Sequence, residues 1–69
     1  MDSLIARVET RVRQATHDRI RHLKVEAGHG RVVIRGQAPS HYAKQLALHG
    51  ALQLLPGDRL RLDLTVERN

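Results

Sequence analysis

A chain of 69 residues with a formal charge of +5, no Cys, no Phe or Trp and one Tyr has neither a disulfide framework nor a zinc ribbon. Its core must come from aliphatic side chains. At 41% apolar and 28% charged, the composition is that of one small folded domain spanning residues 1–69, not a disordered tail. Arginine far outnumbers lysine and the sequence pI is about 11.1, a balance that favours anionic partners such as phospholipid headgroups, nucleic acid or an acidic protein surface.

The opening "MDSLIARVET" places charges a few residues apart and contains no long apolar run, so it reads as neither a signal peptide nor a membrane span. A natural chain of this extent is expected in the cytoplasm. Ser3 stands where a helix N-cap belongs. After it Leu4, Ile5, Val8, Val12 and Ala15 recur at helical spacing and fill one sector, which predicts an amphipathic helix over 4–17.

"RHLKVEA" then alternates, with Leu23, Val25 and Ala27 on one face and His22, Lys24 and Glu26 on the other, the period of a half-buried strand. "GHG" suits a tight hairpin turn. "RVVIR" resumes the alternation with Val32 and Ile34 inward and Arg31, Val33 and Arg35 outward. Gly36 closes that strand, and "QAPS" reads as a loop ending in a second cap, Ser40. A second helix is predicted over 41–54, stopped by Pro56-Gly57. "RLRLDLTVE" ends the chain as a strand with Leu60, Leu62, Leu64 and Val66 on one side and Arg61, Asp63 and Thr65 on the other.

The order αββαβ, with one apolar face per element, predicts an α+β two-layer sandwich: a three-stranded mixed sheet with both helices on one face. The stretch from the second strand through the second helix to the third is a candidate right-handed crossover, making those strands parallel neighbours. Gly50 stands mid-helix, where it costs about 1 kcal/mol against alanine; a close approach of the helix to the sheet would explain it.

The second helix has two apolar sectors. Ala43, Leu46, Ala47, Gly50, Ala51 and Leu54 form one; Leu48, Leu52 and Leu55 form another, nearly opposite. One alignment buries the small-residue sector, and a shift of one residue at "LLPG" buries the leucine sector instead. With the small residues inward, Leu48, Leu52 and Leu55 make a candidate self-association surface, each leucine worth roughly 1.5–3 kcal/mol on leaving water.

"GRVVIRGQAPS", with Val32, Ile34, Gly36, Ala38 and Ser40, followed by Ala47, Ala51, Leu54, Leu60, Leu64 and Val66, resembles the BON domain, a family named for bacterial osmotic-shock-induced periplasmic proteins and nodulation proteins. The likeness covers nearly the whole chain. It implies an αββαβ fold without enzymatic activity or cofactor, acting on phospholipid or outer-membrane surfaces or on partner proteins in stress and envelope functions. It also implies a periplasmic or envelope location if the chain comes from a longer family member. The chain carries Pro56-Gly57-Asp58 where the family usually has Gly followed by Val.

No constellation for catalysis stands out. His17, His22, His29, His41 and His49 never occur as H-x-H or at i, i+4 on one helix, and "GHGR" lacks the length and following helix of a phosphate loop. The binding candidate is the open face of the sheet, with Lys24, Arg31, Arg35, Arg59 and Arg61 interrupted by Glu26, Asp63 and Glu67. A second basic patch is Arg7, Arg11 and Arg13 on the first helix. The function expected is a non-catalytic binding or scaffolding module for an anionic phospholipid surface or a protein partner, with a homodimer among the partners. The alternative is a small basic RNA-binding module of KH-like type; the G-x-x-G turn between helices and the outward aromatics that would serve it are lacking.

Overall fold

The structure, a computed structural model, describes residues 3–67. Helix α1 (Ser3–Ala15) leads into strands β1 (Arg21–Gly28) and β2 (Arg31–Ala38), then helix α2 (His41–Leu52), a single 3₁₀ turn (Gly57–Arg59) and strand β3 (Leu60–Val66). The sheet order is β1-β2-β3, with β1 antiparallel and β3 parallel to the central β2. This is the α+β arrangement that the alternation of periods predicts, and α2 is the crossover between the parallel pair. No helix among the described residues is long and apolar enough to cross a membrane.

One core lies between the helices and the sheet. Val8 and Val12 of α1, Val32, Ile34 and Ala38 of β2, Ala43, Ala47 and Ala51 of α2, and Leu64 of β3 are buried together with Ile20. Leu4, placed on the apolar side by spacing, is instead exposed. Helix α1 starts at Ser3 itself, and the cap expected of that side chain falls outside the described residues.

The helix also ends two residues earlier than its periodicity suggests. The Asp18 N–H donates to the Arg13 carbonyl at 2.7 Å and the His17 N–H to the Gln14 carbonyl at 3.4 Å, while His17 takes φ 55°. These are the two bonds and the left-handed residue of a Schellman C-cap. Thr16, the one buried polar side chain among the described residues, satisfies its hydroxyl on the Val12 carbonyl at 2.7 Å.

Two irregularities set the sheet. In β1 the pairing steps from Arg21↔Gln37 to Lys24↔Arg35, so β1 holds one residue more than β2 there, with His22 at φ 56°. The bulge resets the alternation: Ile20 and Leu23, three apart, both turn to the helices. Opposite it lies Gly36 at φ 155°, where a Cβ would stand 2.9 Å from both the Arg21 carbonyl oxygen and Ile20 Cγ2. Gly36 therefore does not end the strand, as its position in the sequence suggests; β2 continues through it to Ala38 because glycine lets the bulged neighbour come close. The hairpin turn is His29-Gly30, both at positive φ (52° and 76°), the pattern of a type I′ turn.

Helix α2 is capped by Ser40, whose Oγ accepts the Ala43 N–H at 3.1 Å. It ends at Leu52 rather than Leu54, the last turn tightening to i→i−3 bonds from Gln53 to Gly50 and Leu54 to Ala51. The small-residue sector faces in. Gly50, however, touches α1 and not the sheet: a Cβ there would lie 2.9 Å from Ala15 Cβ and 3.3 Å from the Arg11 carbonyl. The missing side chain serves a helix–helix approach.

Candidate anionic-surface site on the open sheet face

Every outward side chain of the sheet belongs to a row fixed by register. Glu26, Val33 and Arg61 stand side by side across the three strands, and Lys24, Arg35 and Asp63 form the next row. Parallel pairing starts β2 and β3 at the same end of the sheet, so the Val32↔Leu60 register brings Arg31 alongside Arg59. The topology thus gathers Arg31, Arg59 and Arg61, far apart in sequence, at the hairpin end of the sheet, where Arg31 and Arg59 also border a hollow on the helix side with Leu4, Val32 and Leu55. Val33 sits among them half-buried on the solvent side, an environment that the aliphatic stems of arginines tolerate.

Charge is not spread evenly. Glu26 lies 3.5 Å from Arg35 and 4.0 Å from Lys24, so these two of the expected basic residues share a carboxylate. At the far end Arg21 reaches across β2 to Glu67 at 3.5 Å. Arg31, Arg59 and Arg61 have no carboxylate within ion-pair distance among the described residues. Positive charge free to act on a ligand is therefore concentrated at one end. Alternation alone places Arg21 on the helix side; the bulge moves it to the open face. The clue in the sequence is Ile20, an apolar residue out of phase with Leu23.

The second basic patch divides. Arg7 and Arg11 border a shallow hollow of about 320 Å³ with Ala6, Thr10, Gln14 and Leu54. Arg11 donates to the side-chain oxygens of Gln14, at 3.4 Å, and of Gln53. Arg13 points elsewhere on α1, bonded to Glu9 at 3.0 Å and to Asp18 at 2.9 Å. Its hydrogen bonds to Glu9 and then Asp18 raise its pKa further above the ordinary arginine value. Arg13 is thus occupied within its own helix end and does not extend the Arg7–Arg11 pair.

The leucine sector divides too. Leu52 is exposed, Leu48 is half-buried beside Leu62 of β3, and Leu55 packs against the core at the hairpin end. All five histidines lie on the surface, and no three His, Cys, Asp or Glu side chains converge among the described residues. Comparisons with protein-family models, with curated proteins and with solved structures find no match to this chain.

Proposed function

We propose that this chain is a non-catalytic, BON-like docking module that lies with the hairpin end of its open sheet face on an anionic phospholipid surface. The observation that carries the reading is the group of Arg31, Arg59 and Arg61, exposed at the hairpin end of the sheet and without carboxylate partners among the described residues. Guanidinium groups there can meet lipid phosphates two hydrogen bonds at a time. Near an anionic leaflet each basic group is worth about 1 kcal/mol, so the three together supply a weak, reversible attachment that salt abolishes. The αββαβ order with parallel β2 and β3 agrees with the fold that the resemblance implies. No aromatic side chain stands on this face to stack on a base, since Tyr42 lies on α2, which makes lipid the better-supported partner than RNA.

Vesicle co-sedimentation tests it. Binding is expected to vesicles containing phosphatidylglycerol and not to pure phosphatidylcholine, and should fall as salt rises. The Arg31→Gln, Arg59→Gln double variant should bind at least tenfold more weakly, since two contributions of about 1 kcal/mol are lost. Equal sedimentation with both vesicle types, or an RNA titration tighter than the lipid one at matched salt, would refute the proposal.

A further inference from the structure

Strand β3 is an edge strand with an unbroken register to β2. Its odd-numbered residues turn their backbone groups towards β2, as the Glu67 N–H donating to the Ala38 carbonyl at 2.8 Å establishes. Leu62 and Leu64 therefore present their N–H and C=O groups to the open edge, while the Leu60 N–H donates to the Gly57 carbonyl. The other edge, β1, is broken by the bulge at His22 and carries Lys24, both devices that discourage strand addition. Strand β3 has no bulge, and its two outward charges, Arg61 and Asp63, are of opposite sign.

The surface next to that edge is mixed, with Leu48 and Leu62 set among His41, Lys44 and Gln45. Gly50 turns one side of α2 to α1, and on the other side Leu48 shares a hollow with Leu62 of β3. Leu52, 41% exposed, continues this side towards Gly57 in the 3₁₀ turn before β3. An occupant must then offer a strand edge together with leucines to meet Leu48 and Leu52, and a second copy offers both.

Register decides the match. To keep the apolar face continuous, even-numbered residues must pair with even-numbered ones. Among antiparallel two-fold pairings, setting Leu62 against Leu62 of the second copy puts Arg61 opposite Asp63 of that copy, and the symmetry repeats the pair. One step either way sets Arg61 against Arg61, or Asp63 against Asp63. Neither Arg61 nor Asp63 has an ion-pair partner among the described residues. We propose that β3 pairs antiparallel with β3 of a second copy in the Leu62-centred register, joining the two sheets and covering Leu48 of α2. Both open faces then look the same way, each with its Arg31 and Arg59.

A short strand and one helix side make a small interface, so self-association is expected in the micromolar to millimolar range. Sedimentation velocity over a concentration series up to about 1 mM measures it, beside far-UV circular dichroism. Asp63→Arg and Arg61→Asp each place like charges opposite and should weaken the dimer about tenfold or more. The double reversal restores opposite charges and should return association to near the unmodified level. Both side chains are exposed and outside the core, so the fold is not at stake. Leu48→Asp should dissociate the dimer as well. A monomer throughout the series, indifference to the single reversals, or a double reversal that fails to rescue would each overturn the proposal.

Discussion

Gly50→Ala sets two known effects against each other. Alanine in a helix interior gains about 1 kcal/mol over glycine, so on propensity alone the variant is stabilised. The new Cβ would lie 2.9 Å from Ala15 Cβ, against a normal carbon separation of about 3.5–4.0 Å, and 3.3 Å from the Arg11 carbonyl oxygen. Both obstacles belong to helix backbone or to a carbon fixed directly on it, so relief requires α1 and α2 to move apart. Overpacking of this kind costs about 1–3 kcal/mol, and the strain should win by about 1 kcal/mol. In a domain this small that lowers Tm by about 4–8 °C. Thermal unfolding should be read at one low protein concentration, so that association does not contribute. Ala15→Gly removes the nearest atom, and a double-mutant cycle should return a favourable coupling of about 1 kcal/mol between the two sites. Rescue stays partial because the Arg11 carbonyl remains. A Gly50→Ala variant that melts higher than the unmodified protein, or a cycle with no coupling, would refute the close helix contact.

The other glycines and the end of α1 give sharper contrasts. Gly36→Ala combines positive φ with a Cβ 2.9 Å from a carbonyl oxygen, and should cost about 2–4 kcal/mol in chemical denaturation. Gly28→Ala meets no atom within 4 Å and should leave the midpoint within about 0.5 kcal/mol of the parent. His17→Gly should raise Tm, because the C-cap position holds φ 55° and glycine relieves about 1 kcal/mol of left-handed strain there.

How far the sequence carries depends on whether a feature is local. The helices, strands and His29-Gly30 turn follow from period and turn chemistry. So does the Ser40 cap, because each needs only a few neighbouring residues. The bulge at His22 does not, since it is defined by pairing with β2. Its trace in the chain is Ile20, buried and yet out of phase with Leu23. Gly36 looks like a strand terminator until the carbonyl it accommodates is known. Gly50 announces a close approach, which its sequence position suggests is to the sheet; the structure gives Ala15 of α1 instead. The basic face was legible as a set of alternating positions. Its asymmetry was not, because which arginines lack a partner depends on where Glu26 and Glu67 reach across strands. Arg13 shows the same limit. Its i,i+4 spacing to Glu9 is visible in the sequence, while the bond to Asp18 needs the Schellman turn that brings residue 18 back over the helix end.

The rotation of α2 ties these features together. Turning Leu48 and Leu52 inward would bury more of both, and area alone favours it by a part of the roughly 1.5–3 kcal/mol that complete burial of a leucine is worth, since Leu48 is already half-buried. That rotation would place leucines where Ala47 and Ala51 are now fully buried, and would turn Gly50 away from Ala15. The helix would have to rise from the sheet and from α1 together, opening space around Ile34, Val8 and Val12, which are now entirely enclosed. Lost packing at such sites costs several kcal/mol per large side chain. Close three-way contact among α1, α2 and β2 therefore fixes the small residues inward, and the leucines stay outside as its consequence. With α2 held at that angle, Leu48 stands beside Leu62, next to the row of unpaired backbone groups on β3. The same packing that closes the core thus creates the uncovered strip, and the proposed strand pairing with a second copy would answer the backbone and the leucines at once.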